Sequence, residues 1–200
     1  IGTLGTASTL SFDTNSQLFL NGTGINIRNT TMAGKGIGTW GGIYMNYGSS
    51  ATFDQSKILQ VSGWGGAALS VNSASVTFNN SEIDVPSGGV KSAISANQYG
   101  GSNTININNS KIKSASDTAI KTYGLPVYVS NSQIIQANGS TALYTANTTA
   151  TLGNDKIKGG KLSAGYNGAI LGGLYYGYCA HNHFCDRASS SLEAFGGGYI

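Results

Sequence analysis

Apolar and polar residues alternate along this chain over short stretches, each interrupted by a polar corner. In VTFNNSEI, residues 76–83, an extended backbone turns Val76 and Phe78 to one side and Thr77 to the other. Asn79, Asn80 and Ser81 then intervene, and Ile83 resumes the apolar side. Aligned on the last apolar residue, the phrase occurs six times: INIRNTTM (25–32), ATFDQSKI (51–58), VTFNNSEI (76–83), ININNSKI (105–112), VYVSNSQI (127–134) and ATLGNDKI (150–157). The copies are spaced by 22 to 29 residues. That is too irregular for a coiled coil and natural for a coil of strands whose loops differ in length.

Read down the copies, one inward column is Ile27, Phe53, Phe78, Ile107, Val129 and Leu152, and a second is Met32, Ile58, Ile83, Ile112, Ile134 and Ile157. Between them the corner holds Asn29, Gln55, Asn80, Asn109, Asn131 and Asn154 in register. Asn tolerates the left-handed backbone of a sharp bend, and stacked amides can bond from one winding to the next, so these six are expected to form a structural ladder. About ten residues after each corner comes a third segment: GGIYM (41–45), GGAALSV (65–71), GGVKSAI (88–94), TAIKTY (118–123), TALYTA (141–146) and GAILGG (168–173). Small residues followed by apolar ones predict a turn and a third strand per winding.

Composition agrees with strands. Of 200 residues, 40% are hydrophobic and only 10% charged, with 30 Gly and 2 Pro. Such a chain can bury a core and favours short strands and tight turns over helices. The net charge of +3 comes from scattered basic residues, so no dense patch suited to nucleic acid is expected. No apolar run is long enough for a membrane-spanning helix. The opening residues, IGTLGTASTLSF, do not read as an intact signal peptide; a chain that starts with Ile is expected to be processed or a fragment.

The pattern resembles the right-handed parallel β-helix, the pectate-lyase-like scaffold. Its NNS, SG and NGS texture and short Val/Ile strands are most similar to bacterial surface proteins of the autotransporter-passenger and adhesin type. The resemblance implies an all-β, single-stranded right-handed β-solenoid of about six to seven coils over residues 1–174, followed by a non-repeating tail, 175–200. The same scaffold carries polysaccharide lyases, adhesins and inert fibres, so activity has to be argued from sites.

A lyase or hydrolase would need carboxylates gathered on one face. Asp13, Asp54, Asp117, Asp155, Asp186 and Glu193 fall in different columns or at the ends. Glu82 and Asp84 share a face but are bracketed by Lys57, Lys111 and Lys113, which predicts a solvated charge ladder. Arg28 and Arg187 are the only arginines. No catalytic residue, cofactor or resident metal is therefore assigned. Trp40 and Trp64 occupy matching places in TWGGI and GWGGA, with Tyr166 in YNGA at the corresponding place, and exposed aromatics there would suit sugar rings. Sequons begin at Asn21, Asn29, Asn79, Asn108, Asn138 and Asn147, about what so much Asn, Ser and Thr yields by chance.

The rhythm stops near residue 175. Cys179 and Cys185 are expected to form a local disulfide; a metal site using His181 and His183, or free or intermolecular thiols, are the alternatives. Apolar, Gly-rich ends on an open β-helix predict strand addition to copies of the same chain, head to tail. The expectation is thus a non-catalytic, self-assembling subunit of an extracellular fibre or cell-surface layer. The alternatives are an adhesin fragment that binds glycans and, less favoured, a polysaccharide lyase or hydrolase.

Overall fold

The computed structural model describes residues 6–13, 16–34, 42–59, 67–86, 92–172 and 176–178. Over these residues the chain is all-β and winds as a parallel β-solenoid. Its strands lie in three sheets, A, B and C, with eight, seven and seven strands. Ser8–Phe12 enters sheet A, Gln17–Phe19 sheet B and Ile25–Arg28 sheet C. Thr30–Gly34 then returns to sheet A and lies in register on Ser8–Phe12. Parallel pairing follows from winding, because each strand meets its neighbour only after a full circuit.

The predicted columns coincide with the sheet register. In sheet A, Met32 pairs with Ile58, and Ile58, Ile83, Ile112, Ile134 and Ile157 follow one above another. In sheet C the stack is Ile27, Phe53, Phe78, Ile107, Val129 and Leu152. Sheet B adds Ile43, Leu69, Ile94, Ile120, Leu143 and Leu162. All these side chains are buried in one continuous core. The Phe53 and Phe78 rings stack with centroids 4.9 Å apart, an arrangement that contributes about 0.5–1.5 kcal/mol beyond burial alone.

The last winding departs from the expected spacing. GAILGG does not supply the sheet-B strand; Ala169–Gly172 belongs to sheet C, and Lys161–Ala164 takes the sheet-B place. The cause is a two-residue turn, Gly159-Gly160, which brings the chain into sheet B early. Gly159 has φ +75°, and a Cβ on Gly160 would lie 2.7 Å from the Gln136 Cβ and 2.8 Å from the Ala142 nitrogen. Only glycine fits so close to the winding beneath.

Substituting one rung of a stacked column tests the architecture. Ile83→Ala is expected to lower unfolding stability by about 2–5 kcal/mol, whereas Thr77→Ala on the outer face of sheet C changes it by less than about 0.5 kcal/mol. Urea denaturation of the two variants measures the contrast, and equal effects would contradict the assigned inward column.

Candidate functional site

The corner from sheet C to sheet A is the most regular polar feature of the rod. Asn29, Gln55, Asn80, Asn109, Asn131 and Asn154 all have positive φ, between 47° and 59°. This is the left-handed region that Asn enters at least cost among residues with a side chain. Along the column the backbone makes the regular bonds between windings: Gln55 N–H donates to the Asn79 carbonyl, and Asn80 N–H to that of Asn108. Among the six, one side-chain amide pair is joined, Asn154 Nδ2 donating to Asn131 Oδ1 at 2.7 Å.

The residue after each corner carries a second ladder that reading the sequence missed. Thr30, Ser56, Ser81, Ser110, Ser132 and Asp155 are buried at these positions. The backbone N–H of Ser56 donates to Ser81 Oγ at 3.0 Å, that of Ser81 to Ser110 Oγ at 3.0 Å, and that of Ser110 to Ser132 Oγ at 3.0 Å. Each serine hydroxyl donates in turn to the carbonyl two residues before it, as Ser81 does to Asn79 at 2.8 Å. One hydroxyl thus serves both a donor and an acceptor of the buried backbone, which water cannot reach. The only sequence signal was the repeated Ser or Thr after the corner amide. In Asn79-Asn80-Ser81 and Asn108-Asn109-Ser110 it coincides with a sequon whose hydroxyl is buried and whose Asn79 accepts from Asn108 Nδ2 at 3.0 Å.

Asp155 ends this ladder with a carboxyl in place of a hydroxyl. It is 2% exposed; Oδ1 accepts the Ser132 N–H and Oδ2 the Gly153 N–H, both at 2.7 Å. Burial raises its pKa to about 6, and the two N–H donors only partly offset this.

Outside this corner runs a concave polar strip. A hollow of about 340 Å³ has Asn80 and Asn109 on one side and Glu82 and Lys111 on the other, and another of about 420 Å³ continues past Asn131, Asn154 and Lys156. Lys57, Glu82 and Lys111 stack in one column, with Glu82 2.6 Å from Lys111 and 4.0 Å from Lys57. Lys113 meets Asp84 at 3.0 Å and Arg28 meets Asp54 at 3.9 Å. These half-exposed pairs contribute about 0.2–1 kcal/mol each. They engage three carboxylates in contacts between windings. Among the described residues no group of three or more His, Cys, Asp or Glu converges on a metal position.

Tyr166 is 71% exposed but does not correspond to the two tryptophans. It lies between Lys161–Ala164 of sheet B and Ala169–Gly172 of sheet C, whereas Trp40 and Trp64 precede sheet-B strands in the sequence. The early glycine turn produces this shift. Trp40, Trp64, Cys179, His181, His183 and Cys185 lie outside the described residues, so the disulfide and metal readings of the tail do too. Tyr47 and Tyr99, 73% and 79% exposed, share the sheet B to C corner with Tyr166. No family model, curated protein or solved structure matches the chain.

Asp155 gives the fold a pH signature. Its folded-state pKa of about 6 lies above the ordinary value of 3.8, so protonation favours the fold. The contribution is full below about 3.8, fades as pH rises through about 6, and is lost above it, amounting to roughly 3 kcal/mol. Asp155→Ser restores the hydroxyl and removes this dependence. Urea midpoints of wild type and variant should diverge on the alkaline side of the window, with the variant the more stable; parallel curves would contradict the assignment.

Proposed function

We propose that the protein is a structural, self-assembling β-solenoid subunit of an extracellular fibre or cell-surface layer, stacking head to tail through its strand edges. The observation that carries this reading is the rim formed by Ser8–Phe12, Gln17–Phe19 and Ile25–Arg28. These strands begin their sheets, and among the described residues nothing pairs with their outer edges. Beneath them Leu10, Leu18 and Ile25 are only partly buried, whereas their partners in the next winding, Met32, Ile43 and Ala51, are buried. A rim to which no described strand is added, over half-covered apolar side chains, suits a further layer of parallel strands. A second copy supplies that layer, and a contact that does not close on itself propagates as a filament.

The surface chemistry supports a scaffold role. Glu82, Asp84 and Asp54 are held by lysine or arginine, and Asp155 is built into the interior ladder. The likeness of the repeat to pectate-lyase-like β-helices, and among them to autotransporter-passenger and adhesin surface proteins, supports a place outside the cell rather than an activity.

Edge blocking tests the proposal. Ser8 N–H donates to Asn29 in the next winding, so the alternation of a strand turns the Thr9 N–H toward the free rim. Thr9→Pro removes that donor without breaking a bond inside the rod. Wild type is expected to form filaments visible by electron microscopy and to sediment as polymers, and Thr9→Pro to remain monomeric with an unchanged circular dichroism spectrum. Wild type that stays monomeric at every concentration would overturn the reading.

A further inference from the structure

The outer face of sheet B differs from the rest of the rod. In one outward column Phe19, Tyr44, Ser70, Ser95, Lys121 and Tyr144 are in register. Beside it Asn72, Asn97 and Tyr123 stack, and Asn46, which follows the paired Met45 and Val71, donates to Asn21 Oδ1 at 3.3 Å. Aromatic pairs stand at both ends. Phe19 and Tyr44 stack with centroids 5.4 Å apart, Tyr123 and Tyr144 meet at 5.5 Å, and Lys121 Nζ lies 5.4 Å over the Tyr123 ring. Tyr44 and Tyr144 are four rungs apart, roughly 19 Å at the spacing of strands in a sheet.

The floor between these pairs consists of Ser70, Ser95, Asn72 and Asn97. All four are half-buried, and none has a side-chain hydrogen bond to another described residue. On sheet C Asn79, Asn108 and Ser130 bond to one another between windings, while the outward Thr52 and Thr77 do not, and no outward aromatic pair among the described residues flanks them. Half-covered hydroxyls and amides need a partner that both donates and accepts, which argues against an apolar occupant such as a lipid surface. Between Tyr44 and Tyr144 the described outward residues carry one charge, Lys121, and no carboxylate, so the face has little means of holding a polyanion. Burial also raises the pKa of Tyr44 and of Tyr144, the latter raised further by Tyr123 beside it, so both phenols are uncharged.

We infer that the outer face of sheet B binds a neutral, extended polysaccharide lying along the rod, its sugar faces stacked on Tyr44 and Tyr144 and its hydroxyls bonded to Ser70, Ser95, Asn72 and Asn97. A polysaccharide offers flat C–H faces and a dense row of hydroxyls along a single chain. That is the complement of terminal aromatic rings joined by a polar floor. The site lies on the outward face of sheet B rather than on the strand edges, with Phe19 of the rim strand at one end of it, so binding and assembly are read separately.

Binding is tested by affinity electrophoresis and pull-down with cellulose, mannan and dextran as neutral probes and heparin as an anionic one. Wild type and the Thr9→Pro chain are both measured, so that lost assembly and lost binding are separate readouts. At least one neutral polymer is expected to retain both proteins. Tyr44→Ala and Tyr144→Ala are each expected to weaken retention about tenfold while the circular dichroism spectrum shows the fold retained. If either variant fails to fold, Ser95→Arg, an outward change that fills the floor, should give the same loss. The inference is overturned if no neutral polymer is retained, if heparin alone is, if the substitutions leave retention unchanged, or if they alter only sedimentation, which would make a second copy the occupant.

Discussion

The rod depends on one problem being solved at every winding: the chain must turn sharply from sheet C into sheet A while burying backbone polar groups that water cannot reach. A left-handed residue makes the turn, and the hydroxyl that follows closes the bonding. Ser81 shows the arrangement in full. Its Oγ accepts from the backbone of Ser56 one winding away, and its single proton is shared between the carbonyls of Asn79 at 2.8 Å and Phe53 at 3.1 Å. An unsatisfied buried group costs about 1–3 kcal/mol, as much as a well-packed aliphatic side chain contributes, so a corner without its hydroxyl would cancel much of the core that its winding supplies. The apolar columns make the stack worth forming. The hydroxyl column allows the corner to be buried at all.

Because every winding leans only on its neighbours, departures from the rule act locally. Three of them gather toward the C-terminal windings. Asp155 replaces a hydroxyl with a carboxyl whose charged form burial disfavours and two backbone N–H bonds only partly compensate. Gln136 is fully buried, with Oε1 accepting the Asn138 N–H at 2.8 Å and Nε2 without a partner among the described residues. The Gly159-Gly160 turn presses its backbone onto Gln136 and Ala142. Together they leave the described C-terminal windings less well compensated than the stretch from Phe53 to Ile112, where Phe53 and Phe78 stack and the serine column is unbroken.

The inward columns of sheets A and C were legible because two-residue alternation is a strong signal, and because Asn at the corner fixes the phase of every copy. The serine ladder was hidden for the opposite reason. Ser after Asn has the composition of an ordinary turn or of a glycosylation signal, and only the stacked geometry shows that Ser81 and Ser110 face inward. The last winding was misassigned because a glycine turn shortens its loop, and a reading by spacing then carried GAILGG and Tyr166 onto the wrong corner. The outer face of sheet B escaped notice because Tyr44 and Tyr144 are far apart in the sequence and gain a common meaning only when the register sets them in one column.

The same register that builds the interior also sorts the exterior. On sheet A the outward column pairs Glu82 with lysines from both sides, and on sheet C Asn79, Asn108 and Ser130 bond across windings while the outward Thr52 and Thr77 make no side-chain bond to a described residue. On sheet B half-buried hydroxyls and amides are likewise unpaired among the described residues, but there they lie between two aromatic pairs. Stability alone does not explain that combination, since each winding had the same opportunity to pair its outward residues with those above and below. A ligand does, because a site must keep its hydrogen-bonding groups uncommitted until the ligand arrives, and in a solenoid the least costly place for such groups is an outward column that the core does not need.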